Sequence, residues 1–230
     1  MQTFPPAGLR CIGVDFSSRP SKRKPVLWAE GQRHGAVLRL QCLVEYPALD
    51  GLAEALRAPG PWLGGFDFPF GLPRELVEAL GWPTQWLPLL RHYQALPREQ
   101  IRAHFRVFCD ARPAGAKFAH RACDGPAGSS PSMKWVNPPV AYMLHAGVPL
   151  LRAAGARFPA HQAGPADAAR TALEAYPGLL ARSLIGARSY KSDDRAKQTP
   201  ERLIARKDLL DALEQGRSAL GLRIRPTAAQ

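Results

Sequence analysis

Two short apolar runs in this chain end the same way. RCIGVDFSS closes on Asp15 and Phe16, and GGFDFPFGLP carries Asp67 between Phe66 and Phe68. A carboxylate is costly to remove from water unless a metal ion, a cation or a set of backbone N–H groups compensates it. Both runs read as buried strands: residues 9–16 are apolar, with β-branched Ile12 and Val14, and residues 62–68 (WLGGFDF) follow suit. Two such strands, each delivering one Asp followed by Phe, imply one shared site. That requirement limits the fold, because the two strands must be neighbours that run the same way.

The intervening sequence permits this. Residues 26–31 (VLWAEG) predict a second strand. Residues 36–46 (AVLRLQCLVEY) predict a third, half-buried one, with Val37, Arg39 and Gln41 on one side and Leu38, Leu40, Cys42 and Val44 on the other. The three are close enough to form an antiparallel meander. LDGLAEALRAPG then predicts a short helix with Leu49, Leu52, Ala53 and Leu56 on one face. After this crossover the fourth strand can lie parallel to the first, with Asp15 and Asp67 side by side at the strand ends where α/β sheets place ligands.

The middle of the chain differs. Residues 73–108 are helical in character, interrupted by Pro83, Pro88 and Pro97, and residues 109–138 are rich in Gly, Pro, Ser and basic residues. Together with the helix that starts at Pro138 or Pro139, this forms an insertion of roughly 73–155, and the 109–138 stretch reads as a long loop or lid. RTALEAYP predicts a fifth strand bearing Glu174, followed by a helix from Pro177 and a last helix over residues 199–214. The expectation is a single α/β domain over residues 1–230.

Composition narrows the class of partner. Of 230 residues, 31 are Lys or Arg and 19 Asp or Glu, a net charge of +12 with a pI near 10.1. That balance favours a polyanion, a nucleic acid or a nucleotide. No apolar run reaches the ~18–20 residues that cross a membrane, so no membrane partner is expected. The N-terminus lacks a signal-peptide pattern, and the scattered cysteines (Cys11, Cys42, Cys109, Cys123) include no CxxC. A reducing, cytoplasmic setting fits. The GxGxxG, GxxxxGK[ST], GxSxG and HExxH signatures are absent.

The candidate chemistry therefore rests on carboxylates at strand ends. Asp15 and Asp67 are the candidate metal ligands, with Glu174 as a third catalytic carboxylate. Hard divalent ions such as Mg²⁺ or Mn²⁺ take oxygen ligands and support phosphodiester hydrolysis. Around them, Ser17, Ser18, Lys24, Lys134, Asn137, Tyr190 and Lys191 are candidate substrate contacts, and Trp135 is a candidate stacking residue. Asp193 and Asp194 read as a solvated turn, Glu54 as a solvent-face residue of its helix, and Asp208 and Asp211 as a surface pair. His120, beside Arg121, is a further candidate for chemistry.

Taken in order, IGVDFSS, GFDFPFGLP, WVNPPV, LEAYPGLLAR and YKSDDRAKQ resemble domain-of-unknown-function family 429, a set of predicted nucleases with an RNase H-like fold. The resemblance covers roughly residues 10–210. It implies an RNase H-like mixed five-stranded sheet with flanking helices, in which Asp15 matches the first-strand Asp, Asp67 matches the fourth-strand Asp, and Glu174 of the EAYP motif lies nearby. Such proteins close with a helix bearing an acidic residue in a DALxxA-like run. Here Asp211-Ala212-Leu213 matches only its start, which leaves the last acidic ligand open. Three functions follow as alternatives. One is a Mg²⁺-dependent nuclease. The second is a nucleotide- or phosphate-ligand-binding protein of the same core, suggested by the DFSSRPSKRK loop. The third is a nucleic-acid-binding module without turnover.

Overall fold

The structure, a computed structural model, describes residue 8 and residues 10–192 and 194–226. Its centre is a six-stranded mixed sheet. Strands β1 (Arg10–Asp15), β2 (Val26–His34) and β3 (Val37–Tyr46) form the antiparallel meander, and α1 (Leu49–Arg57) crosses to β4 (Trp62–Phe66), which pairs parallel with β1. The helices α2 (Arg74–Ala79), α3 (Trp86–Ala95), α4 (Arg98–Asp110), the one-turn α5 (Asp124–Ala127) and α6 (Val140–Ala153) follow. Strand β5 (Arg170–Glu174) then adds parallel to β4, and α7 (Pro177–Ile185) and α8 (Pro200–Glu214) complete the helices. The sheet order is β5-β4-β1-β2-β3-β6, the last strand being β6 (Arg223–Arg225).

Strand β6 is an addition to the five strands expected. It spans three residues, pairs parallel with Val37–Arg39 at the sheet edge, and exposes both of its arginines. So short and charged a segment carries no periodic signal. A second difference concerns Pro88. It does not break a helix but sits in the first turn of α3, where its missing N–H has no intrahelical role.

The core lies between the sheet and the helices of the insertion. Ile12 and Val14 of β1, Val26 and Trp28 of β2, and Trp62 and Phe66 of β4 alternate inward, and Leu52 and Leu56 of α1 close over them. Gly64 is required by this packing, because a Cβ there would meet the Phe66 ring at 2.6 Å and Ile12 at 2.9 Å. The edge strand β5 is tied in by Arg170, whose guanidinium donates to the Ala154 carbonyl at 2.7 Å and to the Arg57 and Ala58 carbonyls at 2.9 and 3.0 Å. The loop expected over 109–138 is present, but it is anchored. Ala119, Ser132 and Met133 are buried, and the Ala119 N–H meets the Met133 sulfur at 3.3 Å.

Candidate active site

Strand register builds the site. Val14 is level with Phe66, and Phe66 is level with Glu174, so three parallel strands end together. One residue further along come Asp15 and Asp67, and the Asp67 N–H donates to the Val14 carbonyl at 3.0 Å, extending the ladder past β4. Side chains alternate along an extended chain, so Asp67 faces away from the core that holds Phe66 and Phe68. The phenylalanines after the two aspartates pack on each other beneath the site, with Phe16 and Phe68 centroids 4.7 Å apart. Phe68 in turn touches Phe66 and Phe70 at 5.9 and 5.4 Å. The repeated Asp-Phe pair is thus one device: the rings enter the core and hold the carboxylates side by side at its rim.

The electrostatics follow from that geometry. Burial pushes the Asp67 carboxyl up to about 6, the neighbouring Asp15 charge adds to the rise, and Lys191 opposes it. Asp15 is exposed and Asp67 half-buried. Both open into a cleft of about 1170 Å³.

Glu174 is placed differently. It stands one level short of the two aspartates, and its oxygens are engaged. Oε1 accepts from Arg121 Nη2 at 2.6 Å, and Oε2 accepts from Arg121 Nη1 at 2.8 Å and from the Phe70 N–H at 2.9 Å. Arg121 also binds Asp124, whose fully buried carboxylate accepts from the Arg121 backbone N–H at 2.9 Å, from its Nε and Nη2 at 3.0 and 2.8 Å, and from Ser129 Oγ at 3.2 Å. Burial pulls on the Arg121 guanidinium, but its hydrogen bonds to Glu174 and Asp124 outweigh that and hold it charged. Among the described residues, no three His, Cys, Asp or Glu side chains assemble as a metal cluster. With Glu174 and Asp124 held by Arg121, the strand-end carboxylates left to an ion are Asp15 and Asp67. A pair of close carboxylates, one of them hindered from ionising, is a donor set that suits a hard divalent cation, which needs only one or two protein carboxylates and takes further oxygens from water and phosphate.

Of the sequence-selected residues, Asp15, Asp67, Glu174, Ser17, Ser18, Lys24 and Lys191 all line the cleft. Ser17 and Lys24 bracket a tight hairpin closed by reciprocal Ser21–Lys24 backbone bonds of 3.1 Å. Lys134, Asn137 and Tyr190 do not line it. Lys134 is half-buried, and its carbonyl accepts from the Ala141 N–H at 3.0 Å. Asn137 is exposed and precedes a cis Pro138, and Pro139, not Asn137, caps α6. The Tyr190 ring lies 5.9 Å from Lys191 Nζ. Trp135 packs against Phe118 and Phe105 in the core, and His120 is exposed off the cleft. Asp194 caps its own turn by accepting from the Ala196 N–H at 3.0 Å, Asp208 pairs with Arg188 at 2.6 Å, and Asp193 lies outside the described residues. Glu54 is exposed on α1 and, like Asp208 and Asp211, does not line the cleft.

The cleft also contains residues the sequence did not single out: Arg19, Arg98, Arg102, Asp124 and Tyr142. They come from segments far apart in the chain and read locally as surface charges or loop residues, so only the tertiary fold unites them. For Asp124 the available hint is RACDGPAGSS, where an Asp three residues after an Arg opens a turn.

No family model, no curated protein and no solved structure matches the chain. No helix of the described residues is long and apolar enough to cross a membrane. What the structure establishes is an α/β fold built on a six-stranded mixed sheet, with a cleft lined by charged and apolar side chains at the ends of its parallel strands.

Proposed function

We propose that this protein is a metal-dependent nuclease with an RNase H-like core, hydrolysing phosphodiester bonds at the Asp15–Asp67 pair. The observation that carries the reading is that pair: two carboxylates from adjacent parallel strands, near enough that the charge of one raises the pKa of the other, at the rim of a cleft lined by basic side chains. A sheet whose first and fourth strands are parallel neighbours ending on carboxylates is what the family resemblance implies. It supports the RNase H-like assignment.

In this reading Asp15 and Asp67 hold Mg²⁺ or Mn²⁺, which supplies a Lewis acid and an activated water when bound. The chain's own residues do the rest. Lys191, near Asp67, and Lys24, on the hairpin after Asp15, meet the phosphate charge. Ser17 and Ser18 present hydroxyl groups from the loop that leaves β1. Glu174, locked to Arg121, fixes the floor of the cleft and keeps the β5 end against Phe70.

The test is calorimetric titration of Mn²⁺ and Mg²⁺ into the wild type and into Asp15→Asn and Asp67→Asn, followed by Mn²⁺-dependent cleavage of single- and double-stranded oligonucleotides. Binding and cleavage lost in both variants is the expected result. Metal binding that survives both substitutions would sink the shared site.

A second reading is favoured by the segment from Ser17 to Lys24, which ends in the closed Ser21–Lys24 turn and brings Ser17, Ser18, Arg19 and Lys24 to the cleft beside Asp15. It fits a nucleotide or phosphorylated small molecule held without phosphodiester cleavage. Saturable nucleotide binding with no turnover of any oligonucleotide separates it from the first.

A further inference from the structure

The cleft has a second charged wall that the metal reading does not use. Arg98 and Arg102 stand one turn apart on α4, and Arg19 lies on the loop leaving β1, all three lining the cavity that contains the aspartates. Arg98 is half-buried and held in a fixed pose: Nη2 donates to the Ser18 carbonyl at 2.9 Å, and the guanidinium lies 4.9 Å from the centroid of the Tyr142 ring. The Tyr142 hydroxyl closes this unit by donating to the Arg98 carbonyl at 3.4 Å.

Among the described residues, none of these three arginines forms an ion pair with a carboxylate. Glu99 lines the same wall and acts on Arg98 through space, but it does not bridge to it, and the wall keeps a net positive charge from the three arginines. Burial lowers the Arg98 pKa, and Arg19 lowers it further, as expected for like charges that share a wall. Elsewhere in the same cleft the protein neutralises its buried charge thoroughly, giving Arg121 two carboxylates. Among the described residues Arg98 is oriented by a ring and one carbonyl, which leaves most of its five N–H donors to an anion in the cleft.

We infer that Arg19, Arg98 and Arg102 form a phosphate subsite, one that holds a second phosphate group of the substrate away from the one at the aspartate pair. The inference rests on the phosphodiester reading only for the identity of the anion. It makes the substrate a polyanion, a nucleotide chain rather than a lone phosphate diester. Planar guanidinium forks suit phosphate oxygens, and Tyr142 keeps one of them at a set angle.

The test is run without metal, so that it does not depend on catalysis. Inorganic pyrophosphate is titrated calorimetrically in EDTA, and a fluorescent eight-nucleotide thymidine oligomer is followed by anisotropy in the same buffer. Wild type is compared with Arg98→Gln, Arg102→Gln and Arg74→Gln. The last removes the same charge from an exposed site on α2 outside the cleft. Each cleft substitution is expected to weaken both probes by about tenfold, and Arg74→Gln by less than about twofold. Loss with both probes is the result the subsite predicts; loss with the oligomer alone would mean that the arginines meet the bases or sugars and not phosphate, and overturns it. The Arg102 side chain makes no hydrogen bond to the protein among the described residues, so Arg102→Gln stays informative if Arg98→Gln unfolds. No binding by the wild type, or equal weakening by Arg74→Gln, overturns the subsite. If Mn²⁺ binding and cleavage fail while arginine-dependent binding persists, the nuclease reading falls and the subsite stands.

Discussion

Asp67 is held where ionisation is difficult, and this gives a measurable cost. Its carboxyl moves from an ordinary 3.8 to about 6, through burial first and Asp15 second. Between those pH values the folded protein keeps a proton that the unfolded chain has released, so stability falls as pH rises from about 4 to about 6 and is flat above. Unscreened, that rise corresponds to ~3 kcal/mol at neutral pH; partial exposure reduces it to roughly 1–2 kcal/mol. Asp67→Asn is therefore expected to be the more stable protein at pH 7 and about equal to wild type at pH 4, as read by urea unfolding at both pH values. A variant no more stable at pH 7 would show that the strain is absent. In Asp15→Asn, the Asp67 carboxyl followed by ¹³C NMR should titrate below 6 but stay above 3.8, because the burial contribution survives. Arg121 shows the opposite balance. Arg121→Met leaves the buried Asp124 carboxylate without its cation, and a loss of about 3–5 kcal/mol in unfolding free energy is expected.

At the level of elements, the site depends on how the two Asp-Phe corners are clamped. Phe68 lies against Phe16 and also against α6, where a Cβ at Gly147 would come within 2.5 Å of its ring. Gly147→Ala gains helix propensity on α6 but must displace that ring. Overpacking wins, and destabilisation of about 1–3 kcal/mol is expected in denaturant unfolding, with metal affinity falling as Asp67 shifts. Strands β1 and β4 were legible in the sequence as short apolar runs leading to an Asp, and the helix α1 through the spacing of Leu49, Leu52, Ala53 and Leu56 on one face. The Asp15–Asp67 pairing was legible because a crossover helix makes parallel neighbours the simplest solution. Three features were not. Strand β6 is three residues long and reads Arg-Ile-Arg. The buried Asp124 looks like a loop residue until Arg121 folds over it. Arg98 and Ser18 are 80 residues apart, and nothing local links them. Glu174 was found as a strand-end carboxylate, but its partner Arg121, 53 residues away, belongs to a loop that carries no period.

For the whole molecule, the cleft is the place where distant parts of the chain meet. Its walls come from the ends of β1 and β4, from α4, from the segment around Arg121–Ser130, from α6 and from the loop at Lys191. A ligand that touches all of them binds the folded state and not the unfolded chain, so it must raise the melting temperature. At a hundredfold excess over its dissociation constant the gain is about 2.7 kcal/mol, which for a chain of this size corresponds to roughly 5–10 °C. In the nuclease reading, Mn²⁺ with a non-cleavable oligonucleotide should give a shift of that order, larger than either alone. The pH dependence follows from Asp67. Below about 6 its carboxyl is protonated, and a proton must leave for the ion to bind, so the shift due to Mn²⁺ should shrink between pH 7.5 and pH 5.5. The net charge of +12 pulls the other way for the oligonucleotide alone, whose attraction to the protein does not weaken on acidification. Differential scanning fluorimetry at the two pH values therefore separates two contributions that act on the same cleft. A metal-dependent shift that fades at low pH identifies the aspartate pair, and one that is indifferent to pH and vanishes with salt identifies charge attraction alone.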